Sequence, residues 1–213
     1  MYHYPAEFHS KPEADPETLA NLGPLTPMAG IWTSDAGLDV NPKRDGLGHQ
    51  IFSERYELQP IEAQTNGLQL FYGLRYHTRV VTAGNPETTT RLGTGCGSRR
   101  QARYCSPCRY LGVRPRWPSA RRPPTKSFTL EAVRGSLTNG IVSNPFLDEA
   151  FRTERYTIRV AMHADGTWSY EQDTLLIIPG RSEPFHHADQ NRLRKIAEPT
   201  PNPIALIARQ MTR

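Results

Sequence analysis

The residues of this chain best suited to chemistry by type and spacing lie between Arg91 and Thr125. Cys105-Ser106-Pro107-Cys108 is a C-x-x-C pair, with Cys96 shortly before it. Closely spaced thiolates can share a metal ion or close a disulfide, so a zinc or redox site is one account. A structural zinc ion wants four ligands, and neither a second C-x-x-C nor a local histidine completes this set. The same stretch holds nine arginines, interleaved with Tyr104, Tyr110 and Trp117. Guanidinium groups on phosphates with rings stacked on bases would make a nucleic-acid arm, a second account.

A third account is that the stretch is out-of-frame peptide. No Asp or Glu occurs from Thr88 through Leu130. Enrichment in Arg, Gly, Pro and Cys with loss of acids is what a GC-rich gene encodes in a wrong frame. Each residue fixes most of the first two bases of its codon, and these become bases two and three in the neighbouring frame. From Gly93 onward that frame permits GYWLWEPATGTVLQSLPIPRGQ, which reads as strand, turn, strand. The frame would change near Thr88–Leu92 and be restored before Lys126. On this account residues 91–125 are an anomalous basic segment that disrupts an otherwise regular fold. The chain as written is then expected to fold poorly or to leave 91–125 as a loose loop, a non-functional product being one outcome.

The elements that would have to position any site read as β-structure. With 213 residues the chain can form one domain with a sizeable core plus tails. Residues 1–20, rich in Pro, Glu and His without periodicity, read as a disordered tail. Residues 21–198 read as the domain and 199–213 as a C-terminal tail with a short apolar helix at Ile204–Ala208. Asn21–Met28 suits a helical turn or loop leading into Gly30. Period-two alternation then predicts strands at Glu54–Leu58, Leu68–Val81 and Ser127–Val133. Tyr156–Met162 and Trp168–Glu171 flank Ala164-Asp165-Gly166, a strong hairpin signal. Asp173–Ile178 is a further strand, and no amphipathic helix is expected between 30 and 180. Many short strands with Gly, Asn and Asp turns point to a mostly β fold, an antiparallel barrel or sandwich.

Charge and composition narrow the function classes. The net charge of +5 suggests anionic partners, but ten cations fall in Thr88–Leu130; without them the remainder carries −5. Nucleic acid is therefore not an expected partner of the domain. No run approaches the roughly 18–20 apolar residues of a membrane helix, and the N-terminus has neither the basic nor the apolar region of a signal peptide. A cytoplasmic location is expected, with no membrane partner. There is no phosphate-binding glycine loop before a helix, no G-x-S-x-G and no H-E-x-x-H. Asp148 and Glu149 read as solvated acids in a loop, and His77 as an exposed strand histidine. The pair His186-His187 follows the last clear strand; taken alone it reads as a solvated pair in a polar loop. Adjacent strand residues point to opposite faces, so at most one of the two could face a pocket.

In order along the chain stand Leu25-x-x-Met28-Ala29-Gly30-Ile31-Trp32, Asp35-Ala36-Gly37, Leu70-Phe71-Tyr72-Gly73-Leu74-Arg75-Tyr76, Lys126–Pro145 and Glu183-Pro184-Phe185-His186-His187. In these motifs the chain resembles the nitrobindin-like haem-binding β-barrel family, once described as fatty-acid-binding-protein-like. The likeness runs from about Asn21 to Ala197 except for the odd segment. It departs where Ser34-Asp35 replace a second small residue and where ADQNRLRKIA follows the histidine pair with looser spacing. The resemblance implies an antiparallel up-and-down barrel of about ten strands, of lipocalin-like size, with room for one ligand. It implies haem b, its iron held by one C-terminal histidine: His187, with His186 as the near alternative. Trp32, between Gly30 and Gly37, would line the ligand cavity or plug the core. The activity implied is handling of nitric oxide and isomerisation of peroxynitrite to nitrate. The alternative is a haem-free carrier of an apolar small molecule such as a fatty acid. The oligomeric state is left open, a homodimer included.

Overall fold

The structure, a computed structural model, describes residues 17–43, 46–66, 69–82, 85–98, 101–106, 109–115, 127–200 and 210; for 64–66, 69 and 85–115 it gives the backbone alone. The strands are β1 (Gly30–Lys43), β2 (Gly46–Pro60), β3 (Gln64–Asn66), β4 (Gln69–Thr82), β5 (Asn85–Ser98), β6 (Gln101–Ser106), β7 (Arg109–Pro115), β8 (Ser127–Val133), β9 (Arg152–Met162), β10 (Trp168–Ile177) and β11 (Phe185–Ala197). Two short helices accompany them, α1 (Thr18–Asn21) and α2 (Pro145–Ala150), with a 3-10 helix at Gly23–Met28. The protein is mostly β, as its alternation predicts.

All strand pairings are antiparallel, in the order β2-β1-β11-β10-β9-β8-β7-β6-β5-β4-β3, and β2 also pairs with β4. The sheet therefore curls on itself into a barrel-like form. Alternation decides which side chains turn inward. On β9 these are Tyr156, Ile158 and Val160; on β10, Trp168, Tyr170 and Gln172, each facing its cross-strand partner. The β9–β10 hairpin closes as its sequence predicts, with Gly166 at φ +80° and Asp165 Oδ1 accepting from the Thr167 amide at 3.1 Å.

The core is densest at the tryptophan end of this sheet and reaches Tyr156 and Ala132 on β9 and β8. Leu22, Leu25, Met28 and Ala29 descend from the N-terminal turns onto Trp32, Leu58, Leu74, Leu193 and Trp168. Trp32 stands edge-on to Trp168 with ring centroids 6.2 Å apart, and Tyr56 packs edge-on to Trp168 at 5.3 Å. Burying each such ring contributes about 1.5–3 kcal/mol, so this end carries much of the fold's stability.

Several expectations are corrected. The fold begins by Thr18, whose side chain is fully buried and donates to the Ile61 carbonyl at 2.5 Å, so the N-terminal tail does not extend to residue 20. Trp168–Glu171 and Asp173–Ile178 are one strand, because Gln172 keeps its place in the inward alternation. Asp148 and Glu149 lie on α2 rather than in a loop. Asn144 caps that helix by accepting from the Leu147 amide at 2.9 Å, and Asp148 pairs with Arg134 at 3.0 Å. His186 and His187 open strand β11 instead of following the last strand.

The segment expected to be a loose loop carries the backbone of β5, β6 and β7. Backbone amides and carbonyls pair whatever side chains they bear, and β4 and β8 would otherwise each expose an unpaired edge. Among the described residues, β7 meets β8 at Arg114↔Glu131 and Pro115↔Leu130. The cysteine side chains, residues 116–126, residues 1–16 and the Ile204–Ala208 helix lie outside the described residues.

Candidate functional site

The end of the sheet away from the tryptophans has a polar interior, and β11 builds most of it. Phe185, His187, Asp189, Asn191 and Leu193 alternate inward along this strand. Two apolar residues thus bracket three polar ones on a face that should be core. His186 points outward, more than half exposed, with Nδ1 2.9 Å from Asp173. His187 points inward, its side chain 32% exposed, with Nε2 3.0 Å from Asp39 Oδ1.

Asp39 sits opposite Asp189 across the β1–β11 pairing. Its other oxygen accepts from Asn41 Nδ2 and Gln50 Nε2, both at 2.7 Å. Burial raises the Asp39 pKa, but the bonds from His187, Asn41 and Gln50 outweigh it and hold the carboxyl below its usual range. Asp39 is therefore a stable anion. Asp189, 8% exposed, accepts from Gln172 Nε2, and Gln172 Oε1 in turn accepts from Tyr156 Oη at 2.8 Å. One donor atom each from Asp39, His187 and Asp189 lies within 4.8 Å of the other two. All three line a cavity of about 280 Å3 shared with Asn41, Gln50, Phe52, Val80, Thr82 and Tyr170.

A further buried acid separates this cavity from the aromatic core. Glu54, 3% exposed, accepts from Tyr170 Oη at 2.9 Å and Asn191 Nδ2 at 2.7 Å. The polar interior thus places three hydrogen-bonded groups side by side, centred on Asp39, Asp189 and Glu54.

The residues expected to share a ligand site are only partly brought together. Trp32 pairs with Lys195, eight residues along β11 from His187, which is roughly 26 Å of strand. Its Nε1 donates to the Met28 carbonyl at 2.8 Å, so its polar atom is satisfied within the core. Trp32 is the core plug. Gly30, at φ +134°, makes room for the Ala197 carbonyl, which a Cβ would meet at 2.8 Å; Gly37 makes room for the Phe52 ring. Both glycines serve the protein's own packing. His77 faces outward, next to the inward Tyr76 and Thr78.

Asp39, Asp189, Glu54, Gln172 and Asn191 escaped the reading from sequence. Their signal is there: Glu54 alternates with Phe52, Tyr56 and Leu58, and Asp189 and Asn191 alternate with Phe185 and Leu193. Polar residues at positions that alternation assigns to the core break the pattern and mark a site. In comparisons with known proteins, no family model and no curated protein matches this chain. Among the described residues, no helix is long and apolar enough to cross a membrane.

Proposed function

We propose that this chain is a ligand-binding β-barrel of the nitrobindin-like kind, which takes a small polar ligand at the inner end around His187. The observation that carries the proposal is the inward-facing His187–Asp39 pair, set with Asp189 in a cavity at the end away from the tryptophans. The pairing of β2 with both β1 and β4 supports a sheet closed into about ten strands, with β3 as an appendage. A barrel of that size has an interior wide enough for one small ligand.

Haem b is the ligand the resemblance implies, and ferric haem would supply the chemistry of peroxynitrite isomerisation. The orientation of His187 fits it, because histidines that bind metal are commonly held by a carboxylate at the other ring nitrogen. The surroundings do not. The cavity of about 280 Å3 adjoins one of about 890 Å3 that shares Asp39, Gln50 and Asp189, so the chemistry of the walls and not the volume decides. Its walls set two carboxylates and two amides beside Phe52, Val80 and Tyr170, where a porphyrin needs apolar plates on both faces. The same walls disfavour a fatty-acid chain, whose methylenes would lie against the Asp39 and Asp189 carboxyl groups.

Haem titration tests this reading. We expect no Soret band that depends on His187. A ferric-haem Soret band lost in His187→Ala and kept in His186→Ala would restore haem as the ligand. The site itself has an independent readout in EDTA. Asp189→Asn removes one of two facing carboxylates, so it should raise the melting midpoint by about 2–4 °C if the pair is kept for binding. A lowered midpoint would make Asp189 a structural residue and defeat the ligand-site reading.

A further inference from the structure

The donor chemistry of this end points to a ligand class of its own, and the inference rests on the ligand-site reading above. We infer that Asp39, His187 and Asp189 form a non-haem site for one divalent first-row transition ion. The set holds two hard carboxylate oxygens and one borderline imidazole nitrogen. Mixed oxygen–nitrogen sites of this kind suit manganese, iron or zinc ions better than soft copper(I), and better than calcium, which takes oxygens alone.

Geometry agrees with a single ion. Two donors each about 2.1 Å from one metal stand at most about 4.2 Å apart. The three donor atoms already lie within 4.8 Å of one another, so side-chain adjustments of about half an ångström would close the set. The backbone fixes where they start from, because Asp39 and Asp189 are cross-strand partners and His187 is two positions from Asp189 on the same face. Asn41 Oδ1, buried against Gly48 and without a hydrogen-bond partner among the described residues, belongs to a residue lining the same cavity. The remaining volume has room for the waters that would complete the coordination.

Electrostatics supplies the drive. Two carboxyl groups meet across one cavity in a medium that screens charge poorly, one of them 8% exposed. A cation held by both gains the attraction of each. The imidazole binds as the neutral ring, and any proton that His187 Nε2 shares with Asp39 leaves to solvent when the metal enters.

Manganese(II) is the probe of choice, because its preference for oxygen donors leaves the three cysteines out of the measurement. As Mn2+ is titrated into the protein, the six-line electron paramagnetic resonance signal of the free ion should stay suppressed up to one ion per chain and grow beyond it. His187→Ala and Asp189→Asn should each weaken binding by about 100-fold or more, whereas the outward His186→Ala should leave it unchanged. A free-ion signal that persists beside wild type, or binding equally tight in both inner variants, overturns the metal assignment. The Asp189→Asn melt in EDTA separates this failure from failure of the site. A raised midpoint without Mn2+ binding leaves a ligand site that is not metallic, and a lowered midpoint removes both.

Discussion

His186 and His187 show how much a single step along a strand decides. They are chemically identical neighbours, yet one meets solvent and Asp173 while the other meets Asp39 and a cavity. Strand parity is enough to say that only one can face inward; which one depends on the register of β11, which the sequence does not print. Tyr56 illustrates a residue whose surroundings set its acidity. Burial between Tyr76 and Trp168, reinforced by the charge of Glu54, pushes its phenol well above the usual value. The unfolded chain ionises Tyr56 above about pH 10 and the folded chain does not. Folding is thus favoured fully below that pH, and this contribution fades as pH rises towards the folded value. We expect Tyr56→Phe to flatten the decline of stability above about pH 10, as chemical denaturation at stepped pH would record. An unchanged decline would assign the alkaline sensitivity to other groups.

At the scale of elements, period-two alternation locates β2, β4, β8, β9 and β10 but not the long β11, whose polar inward residues hide it, and it marks the ends poorly. Ser127–Val133 appears with the same bounds in sequence and structure, because Phe128, Leu130 and Ala132 face the core without interruption. The stretch from Gly30 to Pro60 shows less of itself, since β1 and β2 contain Ser34, Asp35, Asp39, Glu54 and a bulge between Ser34 and Gly37. Those irregularities are what shape the polar end. Its rim is held by Arg181, in the connection between β10 and β11, which donates to the carbonyls of Lys43 at 2.9 Å and Gly46 at 3.2 Å. The guanidinium also lies 5.1 Å from the Phe185 ring centre. This clasp ties the β1–β2 tip to the start of the strand that carries His187. Arg181→Ala should speed amide hydrogen exchange at the β1–β2 tip by several-fold, with the melting midpoint nearly unchanged, since exposed contacts contribute little to global stability. Unaltered exchange at that tip would show that the strands hold it alone.

The whole molecule turns on residues 91–125. The described part of their backbone, up to Pro115, runs as strands between β4 and β8, but arginines, cysteines and prolines give no alternating apolar face, so composition alone hid β5–β7. Glycines at positions 93, 95 and 97 of β5 further reduce the side chains available to pack. The neighbouring-frame peptide would put Trp, Leu and Val into the same stretch. Replacing residues 93–114 by GYWLWEPATGTVLQSLPIPRGQ should raise the melting midpoint and sharpen the transition, read by circular dichroism against the present chain. A lower or broader transition would favour the present segment as native and return attention to its cysteines.

Ile31 pairs with Ala197, so β1 and β11 meet side by side at the tryptophan end, while His187 stands at the other. A cross-link engineered between these two strand ends would therefore brace the tryptophan end without touching the residues around His187.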